Sequence, residues 1–191
     1  GLDGAGFDLD GGCTNCTIQY CYARDNDGAG ILVWNYNYAP HRLGDNILRF
    51  NVLENNGRFN FYADIFIGSD GTAVENLAVY NNSIFSSAQP LATPACIHVG
   101  KGTKNIEVYN NLLITNGKIP VFDFQDGHGA ILRNNVEWNL QQSGLPAVQP
   151  GNRRLNPLLN AYNTGELPEI NDQGVSLKGY RPLPNSPLFT A

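Results

Sequence analysis

One short phrase recurs along this chain and limits what it can fold into. Asn15-Cys-Thr-Ile-Gln-Tyr, Asn46-Ile-Leu-Arg-Phe-Asn, Asn76-Leu-Ala-Val-Tyr-Asn-Asn and Asn105-Ile-Glu-Val-Tyr-Asn-Asn are copies of one unit, with a worn fifth in Ala130-Ile-Leu-Arg-Asn-Asn. The first four start 31, 30 and 29 residues apart, and self-similarity at such a period marks a stacked repeat protein. Each unit is rich in Val, Ile, Leu, Phe and Tyr and is punctuated by Gly and Asn, so it reads as short strands joined by turns. Stacked strand-only coils predict an all-β parallel β-helix, a solenoid of about five coils.

Such a stack is a grid on which neighbours can be assigned. A strand precedes each Asn-headed one: Gly6-Phe-Asp-Leu-Asp10, Gly30-Ile-Leu-Val-Trp34, Asp64-Ile-Phe-Ile-Gly68, Cys96-Ile-His-Val-Gly100 and Val121-Phe-Asp-Phe-Gln125. Side chains alternate along a strand, so Phe7/Leu9, Ile31/Val33, Ile65/Ile67, Ile97/Val99 and Phe122/Phe124 should face inward. Two outward columns remain, Asp8–Leu32–Phe66–His98–Asp123 and Asp10–Trp34–Gly68–Gly100–Gln125, with Asp64 expected to flank the first. The Asn-headed strands should point Ile18, Leu48, Val79, Val108 and Leu132 inward. They end at Asn51, Asn82, Asn111 and Asn135, with Cys21 in that place on the first coil. Asparagines stacked at one turn can hydrogen-bond along the column, a structural role.

Composition removes several functions. The net charge is −5 and the 12 basic residues are scattered, against a nucleic-acid groove. No apolar run approaches the ~18 residues of a membrane span. No phosphate-cradling loop accompanies the glycines. Residues 1–140 read as the coils and 141–191 as an extended, proline-rich tail packed on them through Leu155, Tyr162, Leu167, Ile170, Leu177, Tyr180 and Leu188. There is no methionine and no signal peptide, so a mature product or a fragment is expected. Gly1-Leu-Asp-Gly-Ala-Gly runs straight into strand without a capping unit. A solenoid end needs a cover, so further coils or an end-to-end stacked partner are expected there.

Gly6-Phe-Asp-Leu-Asp-Gly-Gly, Tyr80-Asn-Asn-Ser-Ile and Tyr109-Asn-Asn-Leu-Leu, with the closing Gly179-Tyr-Arg-Pro-Leu-Pro-Asn-Ser-Pro-Leu, resemble the right-handed parallel β-helix superfamily of bacterial carbohydrate-active proteins. The superfamily includes pectate and alginate lyases, polygalacturonase-like hydrolases, epimerases and phage tailspikes. The resemblance implies a right-handed coil, a secreted, extracellular or periplasmic protein, and a polysaccharide partner lying along the first sheet.

Glycosidic cleavage needs two carboxyl groups flanking the bond. The candidate catalytic residues are Asp8, Asp10, Asp64, His98 and Asp123; Trp34, Phe66 and Gln125 are candidate substrate contacts. Asp8 and Asp10 lie two apart on one strand, so about 6.6 Å separates their Cα atoms. His98 and Asp123, on adjacent coils about 4.8 Å apart, suit an acid/base dyad. A glycoside hydrolase is therefore favoured. The alternatives are a non-catalytic polysaccharide-binding or adhesin-type helix, a fragment of a larger enzyme, or a lyase, for which the first sheet offers no Arg and only Lys101 nearby. Asp126-Gly-His-Gly129 resembles one polygalacturonase motif but lacks its accompanying residues. No cofactor is expected. Calcium at Asp8, Asp10 and Asp64 is interrupted by Leu32 and Trp34. Cys13-x-x-Cys16 with Cys21 resembles half a zinc site, but Cys96 lies about 14 Å along the axis. A Cys13–Cys16 disulfide and buried Cys21 and Cys96 are the remaining readings. The sequons at Asn15 and Asn81 are read as incidental, with Asn81 facing inward.

Overall fold

The computed structural model describes residues 3–59, 62–88, 91–141, 147–159, 170–171, 174–175 and 180–189. It divides into two compact units, Gly1–Arg153 and Arg154–Ala191. Among the described residues no helix is long and apolar enough to cross a membrane.

The first unit is all-β and carries three parallel sheets. Sheet one contains β1 (Phe7–Asp10), β4 (Ile31–Asn35), β8 (Ile65–Ser69), β11 (Ile97–Val99) and β14 (Phe122–Phe124), paired in that order. Sheet two contains β2 (Thr17–Gln19), β6 (Ile47–Arg49), β9 (Val74–Tyr80), β12 (Thr103–Tyr109) and β15 (Ala130–Arg133), with β5 (Leu43–Gly44) against β9. Sheet three runs through β3 (Tyr22–Arg24), β7 (Val52–Glu54), β10 (Ser83–Ser87), β13 (Leu112–Asn116) and β16 (Val136–Asn139). The chain visits the three sheets in turn and pairs each strand with its counterpart one repeat on, an arrangement compatible with a parallel β-helix.

Alternation fills the space between the sheets. Leu9, Ile31, Val33, Ile65, Ile67, Ile97 and Val99 of sheet one join Leu48, Val79 and Val108 of sheet two and Leu53, Ile84 and Leu113 of sheet three in one buried cluster. Corners are made by residues in the left-handed region: Tyr20, Phe50, Asn81, Asn110 and Asn134 have φ of 54° to 57°. Three of these five are Asn, which tolerates that conformation better than most residues.

Immediately after each corner stands the ladder. Asn82 Oδ1 accepts from the amide and Nδ2 of Asn51, Asn111 Oδ1 from those of Asn82, and Asn135 Oδ1 from those of Asn111, all at 2.9–3.0 Å. Each remaining Nδ2 hydrogen goes to a strand carbonyl, of Ile18, Leu48, Val79 and Val108 in turn. Cys21 contributes only its amide, which donates to Asn51 Oδ1. Asn152 extends the ladder at the other end, accepting from Asn135.

Four expectations need correction. The counterpart of Asn15, Asn76 and Asn105 is Asp45 rather than Asn46: Thr17 pairs with Ile47, and Ile47 with Ala78. The outward corner position takes Asn or Asp, and Asn46 turns inward to donate to Cys13 O and accept from Cys16 N. Asn81 faces solvent, because the corner aims Asn82 inward instead. Asn15 is exposed too. Cys13, Cys16 and Cys21 are half-buried, only Cys96 is buried, and all four are free thiols.

Within the second unit, Ile170–Asn171 pairs antiparallel with Gly174–Val175. Ser186 Oγ donates to Pro157 O at 2.6 Å, and Leu183 N to Leu158 O. Leu159 and Tyr180 are buried. The side chains of Tyr162, Leu167, Ile170 and Leu177, expected as anchors, lie outside the described residues.

Candidate functional site

Strand pairing on sheet one sets the outward face. Asp8 pairs with Leu32, Leu32 with Phe66, Phe66 with His98 and His98 with Asp123. Asp10 pairs with Trp34 and Trp34 with Gly68. Gly100 and Gln125 continue this column, through the amide bonds Gly100 N to Ile67 O and Gln125 N to Val99 O. Both columns expected from the sequence are therefore formed.

This face holds a cleft of about 510 Å³. Leu32, Phe66, His98 and Asp123 line it from one column and Asp10, Trp34 and Gln125 from the other. Asp3 and Tyr62 join from outside the strands. Those two were not foreseen, since they belong to non-repeating segments with no periodic signal. Asp8 heads the column whose other four members line the cleft, two strand positions from Asp10 on the same face.

Glycines shape the floor. A Cβ on Gly68 would lie 2.6 Å from Trp34 Cζ3, so the bare backbone lets the indole lie across this position. Trp34 and Phe66 rings are 6.0 Å apart and tilted, and Phe66 stacks on the His98 imidazole at 4.2 Å and 5°. Tyr62 meets the Phe66 edge at 5.0 Å and donates its hydroxyl to Asp3 Oδ1.

His98 is 6% exposed. Its Nδ1 lies 2.7 Å from Asp123 Oδ2; a carboxylate only accepts, so Nδ1 carries a proton, and in the neutral imidazole Nε2 then presents a lone pair. No described residue hydrogen-bonds Nε2. It lies 3.4 Å from where a Cβ on Gly100 would be, as does Gln125 Oε1, which accepts from the Lys101 amide. That bond leaves the Gln125 amide hydrogens free to donate.

The Asp8 carboxyl is pushed up to about 6, first by partial desolvation and then by the Asp10 and Asp3 carboxylates. Asp10 Oδ1 accepts from Gly11 N at 2.8 Å. Two carboxyl groups thus share one strand face, and the Asp8 environment disfavours its ionised form.

Asp64 departs from the expected position. It is completely buried at a corner inside the coil, where alternation along the strand no longer sets direction. Its Oδ1 accepts from the amide and Nδ2 of Asn56, whose own Oδ1 accepts from Asn26, and its Oδ2 accepts from Ser86 Oγ. Asp64 ends a second ladder and does not reach the cleft. Burial pushes its carboxyl up to about 7 against the opposing hydrogen bonds from Ser86 and Asn56. Among the described residues no group of three or more His, Cys, Asp and Glu side chains could hold a metal ion. His128 of the Gly-His-Gly segment stacks on Phe124 and accepts from the Ala130 amide.

Compared with known proteins, the chain shows no significant match to any family model, curated protein or solved structure.

Proposed function

We propose that the first unit is a right-handed parallel β-helix of a secreted, polysaccharide-active protein, and that it is a glycoside hydrolase whose substrate lies along the outward face of sheet one. The observation carrying this reading is the cleft itself, where carboxylates, aromatic rings and a mostly buried histidine gather on one face; the aromatic column Tyr20–Phe50–Tyr80–Tyr109 of sheet two is accompanied by arginines instead of a histidine. Aromatic faces suit sugar C–H faces, and carboxyl pairs suit acetal cleavage.

Spacing divides the roles. Three strand steps, about 14 Å, separate the Asp10 strand from the His98 strand, and four, about 19 Å, separate it from the Asp123 strand. Carboxyl groups flanking one glycosidic bond stand about 5–9.5 Å apart, so Asp123 cannot partner Asp10 on the same bond. Asp8 and Asp10, about 6.6 Å apart at Cα, can. In this reading Asp8, held in its acid form, gives its proton to the departing glycosidic oxygen. Asp10 supplies the carboxylate that takes a proton from the attacking water or bonds the anomeric carbon. Water provides the oxygen that replaces the broken C–O bond. His98, Asp123 and Gln125 then hold sugar units farther along the face, with Trp34 and Phe66 between.

The contiguous Trp34–Phe66–His98 ring surface also favours a second reading, a binding module without turnover. A polysaccharide screen separates the two. Reducing ends that appear with the natural chain and disappear in both Asp8→Asn and Asp10→Asn support hydrolysis. An unsaturated, ultraviolet-absorbing product would indicate elimination and overturn it. Binding that is lost in Trp34→Ala, without any turnover, would favour the module.

A further inference from the structure

We infer that the cleft selects an amine-bearing glycan, a polymer containing unacylated amino-sugar units, over uronate-containing or sulfated ones. The inference rests on the glycan reading above and specifies its substrate class.

Charge is the first line of argument. Asp3, Asp10 and Asp123 line the cleft, Asp8 stands beside Asp10, and no lining residue is Lys or Arg. Five of the first unit's arginines are engaged with other residues, Arg24 and Arg58 with Asp25, Arg42 with Asp45, Arg133 with Glu107, and Arg49 with Gln19 and Tyr80, and none of the unit's arginines lines the cleft. A carboxylate or sulfate entering the cleft would lose water beside like charges and find no cation in the lining, the nearest base being the exposed Lys101 beyond Gln125. An ammonium gains carboxylate neighbours and the Trp34 and Phe66 ring faces, both attractive to a cation.

His98 supplies the second, independent line. Its imidazole is more than nine-tenths buried, its Nδ1 is committed to Asp123, and its Nε2 is an acceptor with no partner among the described residues. Gly100 leaves the approach to that atom open. Within this mostly buried side chain Nε2 is open to the cleft, where it can accept from an entering donor. An amino or hydroxyl group donates to it, and a carboxylate cannot. The free amide hydrogens of Gln125 can meanwhile serve a neighbouring sugar oxygen.

The test is titration calorimetry with three oligosaccharides of equal length at near-neutral pH, where an imidazole keeps an acceptor nitrogen: a glucosamine oligomer, its N-acetylated counterpart and an oligogalacturonate. The glucosamine oligomer should bind at least about tenfold tighter than the acetylated one, the equivalent of one effective charge pair. The oligogalacturonate should not bind measurably. Asp10→Asn and Asp123→Asn should each shrink the preference for the amine, as should added salt, which screens charge within about 10 Å at 0.1 M. Equal affinity for the first two oligomers, or tighter binding of oligogalacturonate that Trp34→Ala still abolishes, overturns the charge inference and leaves the glycan site standing. If none of the three binds in a way that Trp34→Ala alters, the glycan reading fails with it.

Discussion

Asn111 is the position where the ladder's contribution can be worked out bond by bond. Its Oδ1 accepts from the amide and the Nδ2 of Asn82, and its Nδ2 donates to Val79 O and Asn135 Oδ1. Asn111→Ala leaves two buried donors on Asn82 without partners, its backbone N–H and one Nδ2 hydrogen. The other Nδ2 hydrogen keeps Leu48 O. An orphaned buried polar group costs about 1–3 kcal/mol, so the substitution should destabilise by about 2–6 kcal/mol, a large part of the roughly 5–15 kcal/mol that holds a typical domain. Asn51→Ala is the internal control, because Asn51 Oδ1 serves one donor only, the half-buried Cys21 amide. Its cost should be about 1–3 kcal/mol by the same reasoning. Urea unfolding followed by both circular dichroism and tryptophan fluorescence reads the difference. With a slope of about 2 kcal/mol per molar, a loss of about 4 kcal/mol moves the midpoint by about 2 M. Coincident transitions from the two probes establish that one cooperative event is measured, which repeat proteins do not guarantee. Equal costs at the two positions, or less than about 1 kcal/mol at Asn111, would refute the interlocked ladder as a source of stability.

Asp64→Asn should stabilise the fold at neutral and alkaline pH. The native carboxyl is raised from 3.8 to about 7, so folding favours its protonated form. That contribution is complete below the unfolded value and is lost as pH rises through about 7, an upper bound on the order of 4 kcal/mol at 1.36 kcal/mol per unit. The variant should lack this slope, and unchanged pH dependence of the unfolding midpoint would count against it. If Asp8 is the general acid, turnover should fall as pH rises through about 6. Because Asp10 helps to raise the Asp8 carboxyl, an Asp10→Asn variant with residual turnover should show that alkaline limb at lower pH; an unmoved limb would argue against the pairing. Gly68→Ala places a methyl 2.6 Å from Trp34 Cζ3 and forces the indole aside, so it should weaken glycan binding by several-fold with little change in melting temperature. Undiminished binding would remove Trp34 from the contact surface.

The outward face of sheet one was legible because it obeys two periodicities at once. Alternation along each strand separated Asp8 and Asp10 from Leu9, and the repeat stacked Phe66 on His98 and His98 on Asp123 without any knowledge of the turns. Reading faltered where the period of two ends. Asp64 immediately precedes β8, and extending the strand's alternation backwards placed it outside, whereas the corner turns it into the position that Asn26 and Asn56 occupy on earlier coils. A signal was present: Asn26 and Asn56 lie 30 residues apart, close to the repeat, each following an Asp or Asn. The one-residue slip at Asn46 has the same origin, since a left-handed corner accepts Asp and Asn alike and the phrase could be matched on either side of it. Asp3 and Tyr62 belong to segments that occur once, so no comparison between coils could reveal them.

Ladder and cleft use the same carboxamide and carboxyl chemistry to opposite ends, and the side of the backbone decides which. Inside, Asn51, Asn82, Asn111 and Asn135 spend every donor and acceptor on neighbours, and Asp64 is held as an acceptor within that pattern. Outside, His98 Nε2 and the Gln125 amide hydrogens are left open on the same sheet whose inner face is apolar apart from Asn35 and Ser69 at the ends of their strands. A repeat can change its outward residues without disturbing the inward ones, because the two sets alternate on one strand and share only the backbone. It follows that Asp10→Asn, at an exposed position, should alter recognition while leaving the unfolding free energy within about 0.5 kcal/mol of the parent, the range of ordinary surface substitutions. A ladder substitution should do the reverse at low denaturant: lowered stability with undiminished affinity per folded molecule. If instead Asn111→Ala abolished binding while the chain remained folded, ladder and cleft would be coupled, and the independence of the two faces would have to be abandoned.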